Sequence, residues 1–190
     1  MKCLLCESFS FVHICKECQE LFLTPSLYKR KISNNIEVIS FYRYSDVKKL
    51  IHTKHTDIGF YIYKILAQNS FKRFAQEFKF DNKVASLSID DIPKSGYSHT
   101  AILNKNLQSN YIQPFYGRLR ASNPITYSGQ SKEFRFLNPR KFNLKEFKHE
   151  DVIIVDDIIT TGSTLTQAIN ILKQNNKNVL LCLTLVDASK

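Results

Sequence analysis

Thirteen consecutive residues, Val152-Ile153-Ile154-Val155-Asp156-Asp157-Ile158-Ile159-Thr160-Thr161-Gly162-Ser163-Thr164, hold the densest chemistry in the chain. Val152 to Val155, four apolar β-formers, predict a buried strand. Two carboxylates then fall at its C-terminal end, the edge where open α/β sheets bind ligands. The run Thr160 to Thr164 leads into a helix, so backbone N–H groups, hydroxyls and the positive helix end can converge on a phosphate. Gly162 lets the backbone come close. No Gly-Lys-Ser/Thr is present as in a Walker A loop, and the acids stand just before the phosphate cradle. Adjacent acids suit a diol such as the 2′ and 3′ hydroxyls of ribose. The plainer alternative is a strand ending in solvated acids ahead of an ordinary helix cap.

A second constellation lies at the other end. Cys3-x-x-Cys6 and Cys15-x-x-Cys18 are two knuckles separated by eight residues, and four thiolates so spaced can close a tetrahedral Zn²⁺ site. With all four positions filled no place remains for a reacting water, so the expected role is structural. A redox pair or disulfides are the alternatives, and His13, between the knuckles, could replace one cysteine. Cys182, alone among leucines, reads as a small core residue. His52 and His55 share a helical spacing without a clear third ligand and read as solvated surface.

The elements that must carry these groups follow from pattern. Residues 1–25 form the expected zinc module, with Thr24-Pro25-Ser26 as its exit turn, and residues 26–190 form one further domain. Strands are predicted at Glu37 to Phe41, Val84 to Ile89, Tyr111 to Tyr116, Val152 to Val155 and Val179 to Val186. Helices are predicted from about Ser45 to His52, over Asp57 to Phe78 as one long amphipathic element, from Ser98 to Gln108 with Ser98 as N-cap, and from Gly162 to Gln174. The final strand-loop-helix-strand unit marks an α/β fold with a parallel sheet. Gly117 to Asn138 reads as a long polar loop, a length that compact domains reserve for function.

Charge narrows the partners. Twenty-seven Lys and Arg against seventeen Asp and Glu give the 190 residues a net +10, which draws polyanions without specifying a fold. Lys105 to Lys148 alone carries nine basic residues and two acids, a net +7. Tyr111, Phe115, Tyr116, Tyr127, Phe134, Phe136, Phe142 and Phe147 are interleaved with those cations, the combination that binds single-stranded nucleic acid. The alternative is that the aromatics are core and the cations a solvated face or a lid. An apolar content of 43% with 23% charged residues excludes a disordered chain. No secretory signal or membrane span is readable, so the expected location is the cytoplasm.

The run from Val152 to Thr164 resembles the PRPP (5-phosphoribosyl-1-pyrophosphate) signature of type I phosphoribosyltransferases. That resemblance implies the type I phosphoribosyltransferase fold, with Asp156 and Asp157 as the catalytic acids engaging the ribose hydroxyls directly or through a Mg²⁺ hydrate. It also implies Thr160, Thr161, Gly162, Ser163 and Thr164 around the 5′-phosphate. A pyrophosphate loop should follow Val84 to Ile89, where Lys94, Ser95 and Gly96 lie; a plain turn is the alternative. Thr160 stands where enzymes acting on 6-oxopurines carry an acid, which disfavours a 6-oxopurine substrate.

Taken with the double Cys-x-x-Cys, the whole chain resembles the ComF family of competence proteins. Pro93 and Gly96-Tyr97-Ser98-His99 resemble that family's proline and its Arg-Gly-Phe-Asn-Gln stretch, with Ser95, Ser98 and His99 departing from it. Arg118-Leu119-Arg120, Gln130 and Arg135 to Asn138 resemble its Arg-, Gln- and Asn-containing loop. The resemblance implies a factor in natural transformation that handles incoming single-stranded DNA, with other DNA-uptake proteins as partners and the inner membrane as a peripheral station. Expected DNA contacts are Arg118, Arg120, Arg135, Arg140 and Lys141; expected cofactors are structural zinc and Mg²⁺ with PRPP. An active phosphoribosyltransferase on an unidentified nucleobase and an RNA-binding, nucleotide-sensing regulator remain the alternatives.

Overall fold

Unbroken Val, Ile and Leu runs form the middle of a single sheet in the computed structural model, which describes residues 1–90, 96–121 and 142–189. Its strands are β1 (Tyr28–Ile32), β2 (Ile36–Arg43), β3 (Val84–Asp90), β4 (Ile112–Ala121), β5 (Phe142–Leu144), β6 (Asp151–Ile159) and β7 (Asn178–Asp187). They lie in the order β1-β2-β7-β6-β3-β4-β5. The five inner strands are mutually parallel, while β1 and β5 pair antiparallel at the edges.

Helices cover both faces, as a parallel sheet requires. They are α1 (Lys16–Phe22), α2 (Tyr44–Ile51), α3 (Asp57–Asn69), α4 (Phe71–Glu77), α5 (His99–Lys105) and α6 (Ser163–Gln174). Alternation along β6 splits the core in two. Ile153 and Val155 join Ile62, Leu66, Phe71 and Leu103 on one face, whereas Val152 and Ile154 join Leu165, Ile169 and Leu172 on the other. Each of these side chains is fully buried or nearly so, contributing roughly 1.5–3 kcal/mol apiece.

The cysteine segment is not packed apart from this core. Cys3, Ile14, Cys18 and Leu23 belong to the same buried cluster as α3 and α4. The His13 ring meets Tyr61 of α3 at 4.8 Å, and Asn69 donates to Gln19 Oε1 at 2.9 Å.

Several elements differ from the sequence expectation. Asp57 to Phe78 is two helices rather than one, broken at Ser70, whose φ and ψ are −120° and −78°. There the Ser70 hydroxyl folds back onto the Leu66 carbonyl at 2.6 Å and the Asn69 amide onto Ile65 O at 3.0 Å, an alternative partner for carbonyls of the last helical turn. The third predicted strand does not stop at Tyr116. It continues to Ala121 as β4, with Gly117 in a bulge at φ +62°. The strand expected at Val152 to Val155 runs through both acids to Ile159. β1, whose three central residues are all cations, and the three-residue β5 are edge strands that the sequence pattern does not announce. The rest of the predicted polar loop, from residue 122 onward, lies outside the described residues.

Candidate functional site

The connections β3-α5-β4 and β6-α6-β7 leave adjacent strands in opposite directions, with α5 and α6 on opposite faces. The C-terminal ends of β3 and β6 therefore flank a topological switch point, where open α/β sheets form their ligand crevice. Asp90 ends β3; Asp156 and Asp157 lie near the end of β6.

Asp156 is half-buried and lines an open cleft together with Thr160, Thr161, Gly162, Ser163, Thr164 and Gln167. Its Oδ1 accepts the Asp157 N–H at 2.8 Å, which fixes the carboxylate against its own backbone. Gly162 caps α6 at φ +83°, a left-handed conformation that a Cβ would strain. A Cβ there would also meet Ile32 Cγ2 of β1 at 3.1 Å. The loop is closed from the first residues of α6, where Thr161 Oγ1 accepts the Ser163 N–H at 3.4 Å and Gln167 donates to Ser163 Oγ at 3.2 Å.

One support of this loop comes from outside the motif. Arg30 of β1 donates to the Thr160 carbonyl at 2.6 Å, while its Nε lies 3.5 Å from Asp187 Oδ2 at the end of β7. Ser189 in turn donates to Asp187 Oδ1 at 2.6 Å. Arg30 thus ties the loop at Thr160 to the end of β7. No motif flags such an arginine, because β1 itself carries no strong strand pattern.

The second acid has different surroundings. Asp157 faces the α3 and α5 layer and is 8% exposed. Its Oδ1 accepts the Ile158 N–H at 2.8 Å; its Oδ2 receives Lys54 Nζ at 3.2 Å and lies 3.3 Å from His99 Nε2. Burial alone would raise the Asp157 carboxyl, yet the His99 and Lys54 charges and hydrogen bonds outweigh it and hold the group well below the usual carboxylate range. Tyr63, fully buried and with no hydrogen-bond partner for its hydroxyl among the described residues, packs its ring 5.5 Å from His99. The two adjacent acids, expected to act alike, are held on opposite faces by different partners.

Asp90 organises the neighbouring edge. Its Oδ1 accepts from Ser88 at 2.8 Å and from Ser98 and Thr100 at 3.4 Å each, and its Oδ2 accepts the Gly117 N–H at 2.9 Å. Of the expected pyrophosphate residues, Lys94 and Ser95 lie outside the described residues. Gly96 is exposed at φ +75°. Ser98 is the N-cap of α5, accepting from the Ala101 N–H at 3.1 Å.

Among the expected DNA contacts, Arg135, Arg140 and Lys141 lie outside the described residues. Arg120 is exposed on β4. Arg118 is half-buried and spends Nη1 on the Glu146 carbonyl at 3.0 Å. The interleaved aromatics divide: Phe115, Phe142 and Phe147 pack in or against the core, whereas Tyr111 and Tyr116 are exposed.

The four cysteines of the N-terminal knuckles converge, all four Sγ atoms lying within 4.8 Å of one another. Cys6 and Cys15 Sγ are 3.7 Å apart, against about 3.8 Å for two sulfurs of a tetrahedron with Zn–S near 2.3 Å. Cys3 Sγ accepts N–H groups from Leu5 at 3.5 Å and Cys15 at 3.3 Å. Burial raises the Cys3 thiol, but backbone donors at Cys6, Cys15 and Leu5 outweigh it and bring it down to about 6. Burial and the three other cysteines push Cys18 up. Four thiols whose Sγ atoms gather within 4.8 Å of one another fit a divalent cation. His13 stands apart from this set with its ring on Tyr61, and Cys182 is buried in the core.

Comparison with known proteins places the fold. A 45-residue stretch is 47% identical to the transcriptional regulator GfcR of Methanosphaera stadtmanae, covering 24% of this chain and 23% of that protein. A 40-residue stretch is 40% identical to the orotate phosphoribosyltransferase of the same organism, covering 21% of this chain and 22% of that one. The chain thus spans less than a quarter of the length of these curated relatives. Among solved structures, the orotate phosphoribosyltransferase from Aeropyrum pernix aligns at 13% identity and TM-score 0.43, covering 90% of this chain and 80% of that one. A hypoxanthine phosphoribosyltransferase from Staphylococcus aureus aligns at 16% identity and TM-score 0.42, covering 66% and 62% respectively. The family model described as the phosphoribosyl transferase domain matches residues 89–190, more than half of the chain and all of it from the end of β3 onward, and this chain belongs to that family.

Proposed function

We propose that the chain binds PRPP in the crevice at the ends of β3 and β6 and serves natural transformation by handling incoming single-stranded DNA. The observation that carries the ligand is the cavity lined at once by Asp156 and by Thr160 to Thr164. Four hydroxyls, the N–H groups opening α6 and the positive helix end form the cradle for the 5′-phosphate. Asp156 accepts from the ribose diol. Asp157 sits behind it, joining the diol only if Lys54 or His99 yields.

Among the described residues the four cysteines are the one cluster of metal-type ligands. They would hold Zn²⁺ structurally, while Mg²⁺ would enter on the pyrophosphate and neutralise charge there. Lys94, Ser95 and Gly96 are the proposed pyrophosphate contacts.

The DNA role is supported by the +7 stretch from Lys105 to Lys148, with Arg118, Arg120, Arg135, Arg140 and Lys141 tracking phosphates and Tyr111 and Tyr116 available for stacking. The resemblance to the ComF family supplies the biological setting, in the cytoplasm or at the inner membrane face. Calorimetry of PRPP-Mg²⁺, with and without a short single-stranded oligonucleotide, tests both halves. Saturable PRPP binding together with salt-sensitive oligonucleotide binding is expected. Absence of oligonucleotide binding near physiological salt would sink the DNA role, and absence of PRPP binding the ligand assignment.

Turnover is the second reading, favoured by the 40-residue likeness to an orotate phosphoribosyltransferase. It requires PRPP-dependent pyrophosphate release with some nucleobase; a base panel that releases none while PRPP still binds leaves a binding fold.

A further inference from the structure

We propose that Lys54 is a specificity-determining residue, its ammonium leaving Asp157 to contact the pyrophosphate end of the ligand while His99 keeps Asp157 in place. This role rests on the ribose-phosphate assignment of the loop at Thr160 to Thr164.

The first ground is that two side-chain donors share one carboxylate oxygen, so the loss of either leaves the other in place. Asp157 Oδ2 has Lys54 Nζ at 3.2 Å and His99 Nε2 at 3.3 Å, and Oδ1 accepts the Ile158 N–H. Departure of Lys54 leaves Asp157 with an imidazole and a backbone donor, so the buried acid is not stranded.

The second ground is where Lys54 is anchored. It lies in the short 3₁₀ turn His52–His55, whose backbone is fixed from several sides. Thr53 Oγ1 donates to the Leu50 carbonyl at 2.6 Å. The Tyr97 hydroxyl donates to the carbonyls of Lys54 at 2.8 Å and Thr56 at 3.2 Å. Gly59 keeps this turn closed, since a Cβ there would collide with Thr53 O and the Tyr97 hydroxyl. Lys54 is therefore tied by its backbone to the connection that leaves β3 and by its side chain to the acid that ends β6. A ligand whose phosphate sits on the α6 side and whose ribose lies over Asp156 directs its far end across the switch point, toward β3. The Lys54 ammonium, with 22% of its side chain exposed, reaches Asp157 near the end of β6, the strand beside β3.

A merely structural Lys54 would affect every ligand alike, whereas a pyrophosphate contact discriminates. Calorimetry should compare PRPP-Mg²⁺ with ribose 5-phosphate in the wild-type chain, Lys54→Met, Lys54→Arg and Asp157→Asn. Lys54→Met should weaken PRPP about tenfold or more, as for loss of one charge-assisted hydrogen bond, and leave ribose 5-phosphate nearly unchanged. Lys54→Arg should restore part of the difference. Should Lys54→Met fail to fold, the double variant Lys54→Met/Asp157→Asn removes both partners of the pair and is read against Asp157→Asn alone. Equal loss for both ligands, or no loss for PRPP, would overturn the role of Lys54. Failure of the wild-type chain to bind ribose 5-phosphate would instead overturn the loop assignment beneath it.

Discussion

The cysteine cluster and the proposed ribose-phosphate crevice are built by opposite means. In the first, four side chains within sixteen consecutive residues converge on one point. In the second, the Thr160 carbonyl of the loop is held by Arg30 and the neighbouring Asp157 by Lys54 and His99, supports that come from three distant elements. A site of local ligands would depend on its metal, whereas one with distant supports depends on the whole sheet. Removing a component should therefore damage the two regions in different ways.

With the proposed Zn²⁺ in the cluster, the largest effect is expected from stripping it with a strong chelator or from Cys18→Ser. Binding free energy on the order of 10 kcal/mol holds such modules together, so residues 1–23 should become protease-sensitive and the face of α3 at Tyr61 exposed. Because Cys3, Ile14, Cys18 and Leu23 share the core of α3 and α4, the thermal midpoint of the whole chain should fall as well. Chelation that leaves both the protease pattern and the midpoint unchanged would separate the cluster from the fold.

Next in size is Asp157→Asn. Removing one member of a buried ion pair costs about 3–5 kcal/mol. The folded-state pKa of Asp157 is lowered from its ordinary value of 3.8, so the charged carboxylate stabilises the fold above that pH. The contribution drains away as the pH falls below it, through the folded value. Urea unfolding should show the gap between wild type and Asp157→Asn at neutral pH and a smaller gap near pH 3. A gap that widens on acidification would contradict the ion pair.

The smallest effect is on the loop itself. Gly162→Ala places a Cβ at φ +83° and 3.1 Å from Ile32, costing about 1–2 kcal/mol. It should weaken ribose 5-phosphate binding more than it lowers stability, because the N–H groups of the cradle shift with the strained residue. Loss of stability without loss of binding would place the phosphate elsewhere.

What could be read from the chain follows the same division. Both Cys-x-x-Cys knuckles and the run from Asp156 to Thr164 are contiguous, so spacing alone announced them, and Val152 to Val155 betrayed the central buried strand. Supports that reach across the fold left no such trace. Arg30 sits in an edge strand of mixed polarity, and Lys54 lies between two histidines read as solvated surface, which His52 and His55, both exposed, are. Nor could sequence separate Asp156 from Asp157, since only the alternation of β6 sends one toward the cavity and the other toward Lys54 and His99. The single long helix expected over Asp57 to Phe78 failed for a local reason, the back-bonding of Asn69 and Ser70, that periodicity does not register.

The claim that Thr160 to Thr164 cradles a ribose phosphate is tested most directly by titrating ¹⁵N-labelled protein with ribose 5-phosphate and following the backbone amides. The resonances of Thr161 to Thr164 should move first and furthest, and Asp156→Asn should weaken the response. Shifts confined to other regions, or none at saturating ligand, would contradict the assignment.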